Sequence, residues 1–118
     1  MNFMCGIVGF TSKEKNLSKI ESFTKEISHR GPDSLGFKIY KIGNTYLHLG
    51  SSRLAIRGDN RENMPMESKE GNSIIYNGDI FDLNILDQYL DKNDYIGDTR
   101  ILLDLLTKDI ENISLVNG

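Results

Sequence analysis

The sequence predicts an α+β protein, in which strand-forming segments come first and helical segments follow. Two apolar-rich segments flank Gly43-Asn44, a dipeptide typical of tight hairpin turns. Two amphipathic segments near the end of the chain carry apolar residues at helical spacing. Hairpin connections followed by helices distinguish this order from the alternating βαβ units of a parallel sheet.

The first elements are a strand and a helix. Cys5–Phe10 is a short apolar run with glycines, which we expect to form a buried strand. From Leu17 onward, apolar residues recur at helical spacing with Lys and Glu between them. This helix should end before Gly31-Pro32, because the residue ahead of a proline disfavours the helical region.

The hairpin strands are predicted over Phe37–Ile42 and Thr45–Leu54.

Few residues follow the last helix with apolar residues at helical spacing, so we expect an incomplete domain whose apolar faces need another layer. The remaining predicted elements are a loop over Arg57–Gly71, a strand of the same region over Ser73–Tyr76, a helix from about Asp82 and a helix from about Thr99 to Ile110 with Ile101, Leu102, Leu105 and Leu106 on one face.

The composition excludes several classes of protein. The chain has 118 residues, a length that fits one domain, and its formal net charge is −3. Its 38% hydrophobic and 26% charged residues are typical of a globular protein. The acidic balance excludes a protein that coats nucleic acid, and no apolar run reaches the ~20 residues of a membrane helix. A single cysteine makes no internal disulfide and favours a cytoplasmic location.

Cys5 is the strongest nucleophile candidate, although composition alone favours a small buried hydrophobe. A cysteine at a mature N-terminus carries its own general base, because an α-amino group titrates near pH ~8. Residues 1–4 precede Cys5, and an amide nitrogen is not a base. We therefore expect Met1–Met4 to be a leader or the product of a start codon upstream of the functional one, Met4.

Motifs occur in order along the chain: MCGIVG from Met4, HRGPDS from His29, RLAI from Arg53, PM from Pro65, NGDIF from Asn77 and GDT from Gly97. Together they resemble the glutamine amidotransferase domain of glutamine-hydrolysing asparagine synthetases, a class II domain with an N-terminal nucleophile. The resemblance runs from Met4 to Gly118, so residues 5–118 are identified as the N-terminal part of such a domain. It implies an α+β fold of the four-layer αββα type (the Ntn-hydrolase sandwich), present here in part.

The resemblance implies three catalytic residues: Cys5 as the nucleophile, with Asn77 and Gly78 as the oxyanion hole. The Asn side-chain amide and the Gly backbone N–H would receive the negative charge that develops on the substrate oxygen. The alternative for Asn77-Gly78 is a hairpin turn, since Asn-Gly is a common turn signal.

The resemblance also implies substrate-binding residues. Arg53 would bind the glutamine α-carboxylate, for which a planar guanidinium is suited, and its alternative is a solvated cation at a strand end. Asp98 would pair with the substrate α-ammonium group, and its alternative is the N-cap of the following helix. Asp79 stands where the family usually has Glu, so a hydrogen bond to substrate could be lost or bridged by water. His29 and His48 receive no role.

Two further departures concern charge near the predicted site. Asp82 stands where the family usually has Asn. Arg100 stands where the family usually has an acidic residue and would add a positive charge beside Asp98.

The function implied is release of ammonia from glutamine for transfer to ATP-activated aspartate. No metal or cofactor is expected for this segment, because ATP and Mg would serve only a synthetase domain, which nothing in this sequence resembles. Two alternatives stay open. One is a non-catalytic truncated or split-gene fragment that needs a partner chain to complete the fold, and the other is the glutaminase part of a sugar-modifying amidotransferase. The expected partners are glutamine and a separate chain or domain, with neither nucleic acid nor membrane.

Overall fold

The structure of the protein, a computed structural model, describes residues 6–30, 34–53, 63–78, 80 and 98–116. The chain divides into two compact units. The first unit is Met1–Pro65 with Ile75–Asn77, and the second unit is Met66–Ile74 with Gly78–Gly118. Both units contain helix and strand, so the predicted α+β class is confirmed.

A three-stranded antiparallel sheet forms the first unit. Its strands are β1 (Gly6–Ser12), β2 (Ser34–Ile42) and β3 (Thr45–Arg53), in the spatial order β1-β3-β2. The predicted hairpin between β2 and β3 is confirmed, and β2 begins earlier than Phe37, where the sequence placed its start. Gly43 has φ +61° in the turn, a left-handed conformation that glycine adopts without a steric penalty.

Helix α1 (Leu17–Glu26) packs on this sheet. Its N-cap is Asn16, whose Oδ1 accepts the Lys19 backbone N–H at 3.1 Å. A 3₁₀ turn over Ser28–Arg30 follows the helix, so the predicted end before Gly31 is confirmed. Phe23 of α1 meets Phe10 of β1 edge to face, with ring centroids 5.6 Å apart.

The expectation of a buried strand at Cys5–Phe10 is wrong for much of β1. Gly6 is buried, whereas Ile7 is 46% exposed, and burial alternates along the strand. The physical reason is that α1 covers the sheet face on which Phe10 lies, and successive residues of a strand point to opposite faces.

The second unit begins with a two-stranded antiparallel sheet, β4 (Met66–Glu67) and β5 (Ser73–Ile74). Two predictions are corrected here. Part of the expected loop Arg57–Gly71 is strand β4, and the expected strand at Ser73–Tyr76 is only two residues long and pairs with β4, outside the three-stranded sheet. The turn between them is closed by Ser68, whose N–H donates to the Asn72 carbonyl at 2.8 Å.

Helix α2 (Asp98–Lys108) and a 3₁₀ helix (Ile110–Leu115) complete the second unit. The predicted helix from Thr99 is confirmed. It is buried over a wider arc than one face, because Leu103 is buried together with Ile101, Leu102 and Leu105. The predicted helix from Asp82 lies outside the described residues. Among the helices that the structure describes, none is both long and apolar enough to cross a membrane.

Candidate functional site

Arg53 is the last residue of β3 and pairs with Ser34 of β2. Its exposed fraction is only 9%, so the alternative interpretation, a solvated cation at a strand end, is wrong. A guanidinium is kept this far from water only where hydrogen bonds or charges compensate for its desolvation. The end of β3 therefore presents a shielded cationic group, which suits recognition of a carboxylate.

The pairing of β1 with β3 brings the MCGIVG motif, which starts at Met4, close to the start of the RLAI motif at Arg53. Gly6, the residue after Cys5, pairs with Ser52, the residue before Arg53. Gly6 is buried, and a side chain on it would meet Ser52 Oγ at 2.8 Å and Ile27 Cβ at 3.2 Å. The two motifs are far apart in the sequence, and the β1–β3 pairing brings Gly6 and Ser52 together.

A short segment, Asn63–Pro65, lies across the start of β2. Asn63 Oδ1 accepts a hydrogen bond from Ser34 Oγ at 3.0 Å. The Met64 carbonyl occupies the space that a side chain on Gly36 would need. Only glycine at position 36 allows this close backbone approach.

Met64 then connects this segment to the residues before Asn77. Its side chain is buried, with 6% exposed, and its Sδ accepts the Tyr76 backbone N–H at 3.2 Å. Sequence reasoning missed this residue, because Met64 reads as an ordinary apolar side chain in a polar segment. No local sequence pattern predicts that a methionine sulfur accepts a hydrogen bond.

Asn77 and Gly78 are both exposed, and the boundary between the two units falls between them. Neither residue is in a strand, and no strand pair of the described part brackets the dipeptide. The hairpin-turn alternative stays a prediction, because Asp79 and residues 81–97, which would follow such a turn, lie outside the described residues. Asn77 belongs to the same unit as Arg53, and two hydrogen bonds, Ser34–Asn63 and Tyr76–Met64, link the two regions through the Asn63–Pro65 segment.

In the second unit, α2 begins at Asp98, and the side chain of Asp98 lies outside what the structure describes. Its predicted N-cap role stays a prediction. Arg100 Nη1 donates to the Glu67 carbonyl at 3.2 Å and lies 4.0 Å from Asp104 Oδ1. These contacts tie α2 to β4, so Arg100 has a structural role in this unit.

Cys5 and Asp79 lie outside the described residues, as do Gly31, Pro32 and Asp33. Their predicted roles stay predictions.

Both histidines have structural contacts. His29 is exposed, and its Nδ1 lies 2.9 Å from the Glu26 carbonyl. His48 is fully buried and stacks on Phe10, with ring centroids 4.2 Å apart. Its Nε2 accepts the Asn16 backbone N–H at 3.0 Å, which assigns the proton to Nδ1. That Nδ1 has no hydrogen-bond partner among the described residues.

Comparison with known proteins identifies the class. Residues 4–113 match the glutamine amidotransferase domain family, and the chain belongs to that family. It is 31% identical, over 124 aligned positions, to a putative glutamine-hydrolysing asparagine synthetase of Methanocaldococcus jannaschii, covering 89% of this chain and 24% of the relative. It is 27% identical, over 107 positions, to a probable glutamine-hydrolysing asparagine synthetase of Acanthamoeba polyphaga mimivirus, covering 86% of this chain and 20% of the relative.

The chain thus spans about a quarter or less of the curated relatives it matches. No solved structure matches it.

Proposed function

We propose that this chain is the glutaminase part of an asparagine synthetase-like enzyme, with Cys5 as an N-terminal nucleophile. The observation that carries the proposal is the β1–β3 register, in which the residues adjoining Cys5 and Arg53 are cross-strand partners. A nucleophile next to a carboxylate-binding arginine is what hydrolysis of an amino-acid amide requires, since substrate and nucleophile must be held together. The family match over residues 4–113 supports the same assignment.

The proposed reaction starts with the free α-amine of Cys5, which accepts the thiol proton. The thiolate then attacks the side-chain carbonyl carbon of glutamine and forms a C–S bond. Negative charge on the carbonyl oxygen is received by the Asn77 side-chain amide and the Gly78 N–H. The ammonium group of Cys5 returns its proton to the nitrogen of the breaking C–N bond, and ammonia leaves. Water, deprotonated by the same amine, hydrolyses the thioester to glutamate.

In this proposal the substrate's charged groups are bound at separate positions. Arg53 binds the α-carboxylate, and its burial favours strong charge-assisted hydrogen bonds, since little water competes for the guanidinium. Asp98 pairs with the α-ammonium group, and Asp79 takes the place of the longer Glu of relatives. Arg100 is engaged by Glu67 and Asp104, which supports a site in which its charge does not neutralise Asp98.

We propose that the released ammonia is used by a synthetase domain on another part of the protein or on a partner chain. That domain would bind ATP and Mg and transfer ammonia to activated aspartate. The names of both relatives support aspartate over a sugar as the acceptor. The partial exposure of the sheet face that carries Ile7 is compatible with the four-layer αββα fold, in which further strands cover such a face.

The test uses two forms of the protein, one expressed from Met1 and one expressed from Met4. Intact mass identifies the first residue of each, and glutamate release from glutamine measures activity. We expect activity only in molecules whose first residue is Cys5, and none after Cys5→Ala. Activity that survives Cys5→Ala would exclude the covalent mechanism. Inactivity of the Cys5-first form would instead favour a non-catalytic fragment that needs a partner.

A further inference from the structure

Met64 is the described residue that joins the Arg53 end of the sheet to the residues before Asn77. Its backbone lies against Gly36 of β2, and its neighbour Asn63 accepts a hydrogen bond from Ser34, the cross-strand partner of Arg53. From this anchored backbone the side chain reaches Tyr76, one residue before Asn77. The position of Tyr76 is therefore tied to the sheet through Met64.

The tie is a hydrogen bond to sulfur. Tyr76 N–H donates to Met64 Sδ at 3.2 Å, and the thioether is buried. A thioether is a weak acceptor, and an aliphatic side chain at this position has no atom that could replace it. If the sulfur were replaced by a methyl or methylene group, this part-buried backbone N–H would lose the Sδ as an acceptor, and with it the direct bond between Tyr76 and Met64.

We infer that Met64 is a positioning residue that orients the Asn77-Gly78 segment for binding the oxyanion, through the Tyr76 N–H. This inference rests on the proposed function, because it assigns Met64 to the same site. Oxyanion donors must lie within hydrogen-bond distance of where the charge develops, and a shift of about 1 Å can cost about 100-fold in rate. A positioning effect of this kind lowers kcat and leaves substrate binding by Arg53 largely unchanged.

The experiment compares three variants of the chain whose first residue is Cys5. Met64→Leu preserves the apolar volume and removes the acceptor. Met64→Gln restores an acceptor at a similar distance from the backbone. Met66→Leu is the matched control, because Met66 is also buried and, among the described residues, no hydrogen bond to its sulfur is found.

We expect Met64→Leu to lower kcat for glutamine hydrolysis about 10- to 100-fold with KM within about twofold. Met64→Gln should recover most of kcat, and Met66→Leu should retain it. The exchange rate of the Tyr76 amide proton, measured by NMR, should rise in Met64→Leu alone. This second readout remains informative where a variant is less stable.

The outcomes separate the two proposals. If the unsubstituted chain does not hydrolyse glutamine, the proposed function fails, and this inference fails with it. If that chain is active and Met64→Leu retains kcat, only the role of Met64 is overturned. The same conclusion follows if Met64→Leu and Met66→Leu lower kcat equally, or if Met64→Gln recovers nothing, since packing alone would then explain the loss.

Discussion

Ser52 Oγ donates a hydrogen bond to the Ile27 carbonyl at 2.8 Å and so ties β3 to the residue that follows α1. The neighbouring Ser51 is equally buried, at 2% exposed against 0% for Ser52. Its Oγ has no hydrogen-bond partner among the described residues. Two adjacent serines on opposite faces of one strand are therefore in contrasting chemical environments.

The first prediction uses these serines as a matched pair. Ser52→Ala should lower the free energy of unfolding by about 0.5–1.5 kcal/mol, because it removes one hydrogen bond while the Ile27 carbonyl keeps the Arg30 N–H at 3.1 Å. Ser51→Ala should leave stability unchanged or raise it, since it removes a buried hydroxyl that has no described partner. Urea denaturation followed by circular dichroism measures both. Equal losses in the two variants would contradict the assignment.

The second prediction concerns the close approach at Gly36. A methyl group at this position would collide with the Met64 carbonyl, a backbone atom that cannot rotate away. Gly36→Ala should therefore cost about 1–3 kcal/mol of stability, as overpacking typically does. Gly9→Ala is the control, because its nearest contact is Leu49 Cδ2 at 3.2 Å, the end of a flexible side chain. If the midpoint temperature of thermal unfolding falls equally in both variants, the Met64 backbone can move to accommodate a methyl group at little cost.

The third prediction concerns His48. His48→Phe should keep the stacking on Phe10 and remove the acceptor of the Asn16 N–H at the start of α1. The expected loss is about 0.5–1.5 kcal/mol in the free energy of unfolding, because removal of the buried Nδ1 that has no described partner offsets part of the lost bond, and amide exchange at Asn16 should be faster. His29→Phe, at an exposed position with only a local contact, should change stability by less than about 0.5 kcal/mol. An unchanged Asn16 exchange rate would show that the bond to His48 does not hold the helix start.

The fourth prediction tests substrate recognition. Arg53→Lys keeps the positive charge and loses the planar pair of donors, so KM for glutamine should rise about 10- to 100-fold, with kcat affected less. Arg100→Lys is the control and should leave KM within about twofold, because Arg100 contacts Glu67 and Asp104. Melting curves of both variants separate lost recognition from lost folding. A KM that responds to Arg100 and not to Arg53 would move the carboxylate site to the second unit.

Local chemistry explains what could be predicted. The Gly43-Asn44 hairpin follows from the tolerance of glycine for positive φ. The start of α1 at Leu17 follows from the apolar periodicity that begins there, whereas its end at Glu26 was predicted only as lying before Gly31. The helix from Thr99 follows from the spacing of its apolar residues. The order of the motifs along the chain predicted the family, and the match of residues 4–113 to the glutamine amidotransferase domain family confirms it.

For the candidate site, the sequence predicted which residues belong to it and not how they are buried. The resemblance supplied Arg53 and Asn77 as residues, and the structure places both in the first unit. It also shows that Arg53 is buried, which no feature of the strand end predicted. Burial depends on the elements that pack around a residue, and these come from other parts of the chain.

By itself, the sequence determined the α+β class, the tight turn, the helices that start near Leu17 and Thr99, and the family, because each depends on residue chemistry at short range or on motif order. The tertiary structure decided that β1 is exposed on one face, that Ser73–Ile74 pairs with Met66–Glu67, and that Met64 accepts the Tyr76 amide. Each of these depends on which distant segments come into contact. A strand with unpaired N–H and C=O groups can accept several partners, and only packing of the whole chain selects among them.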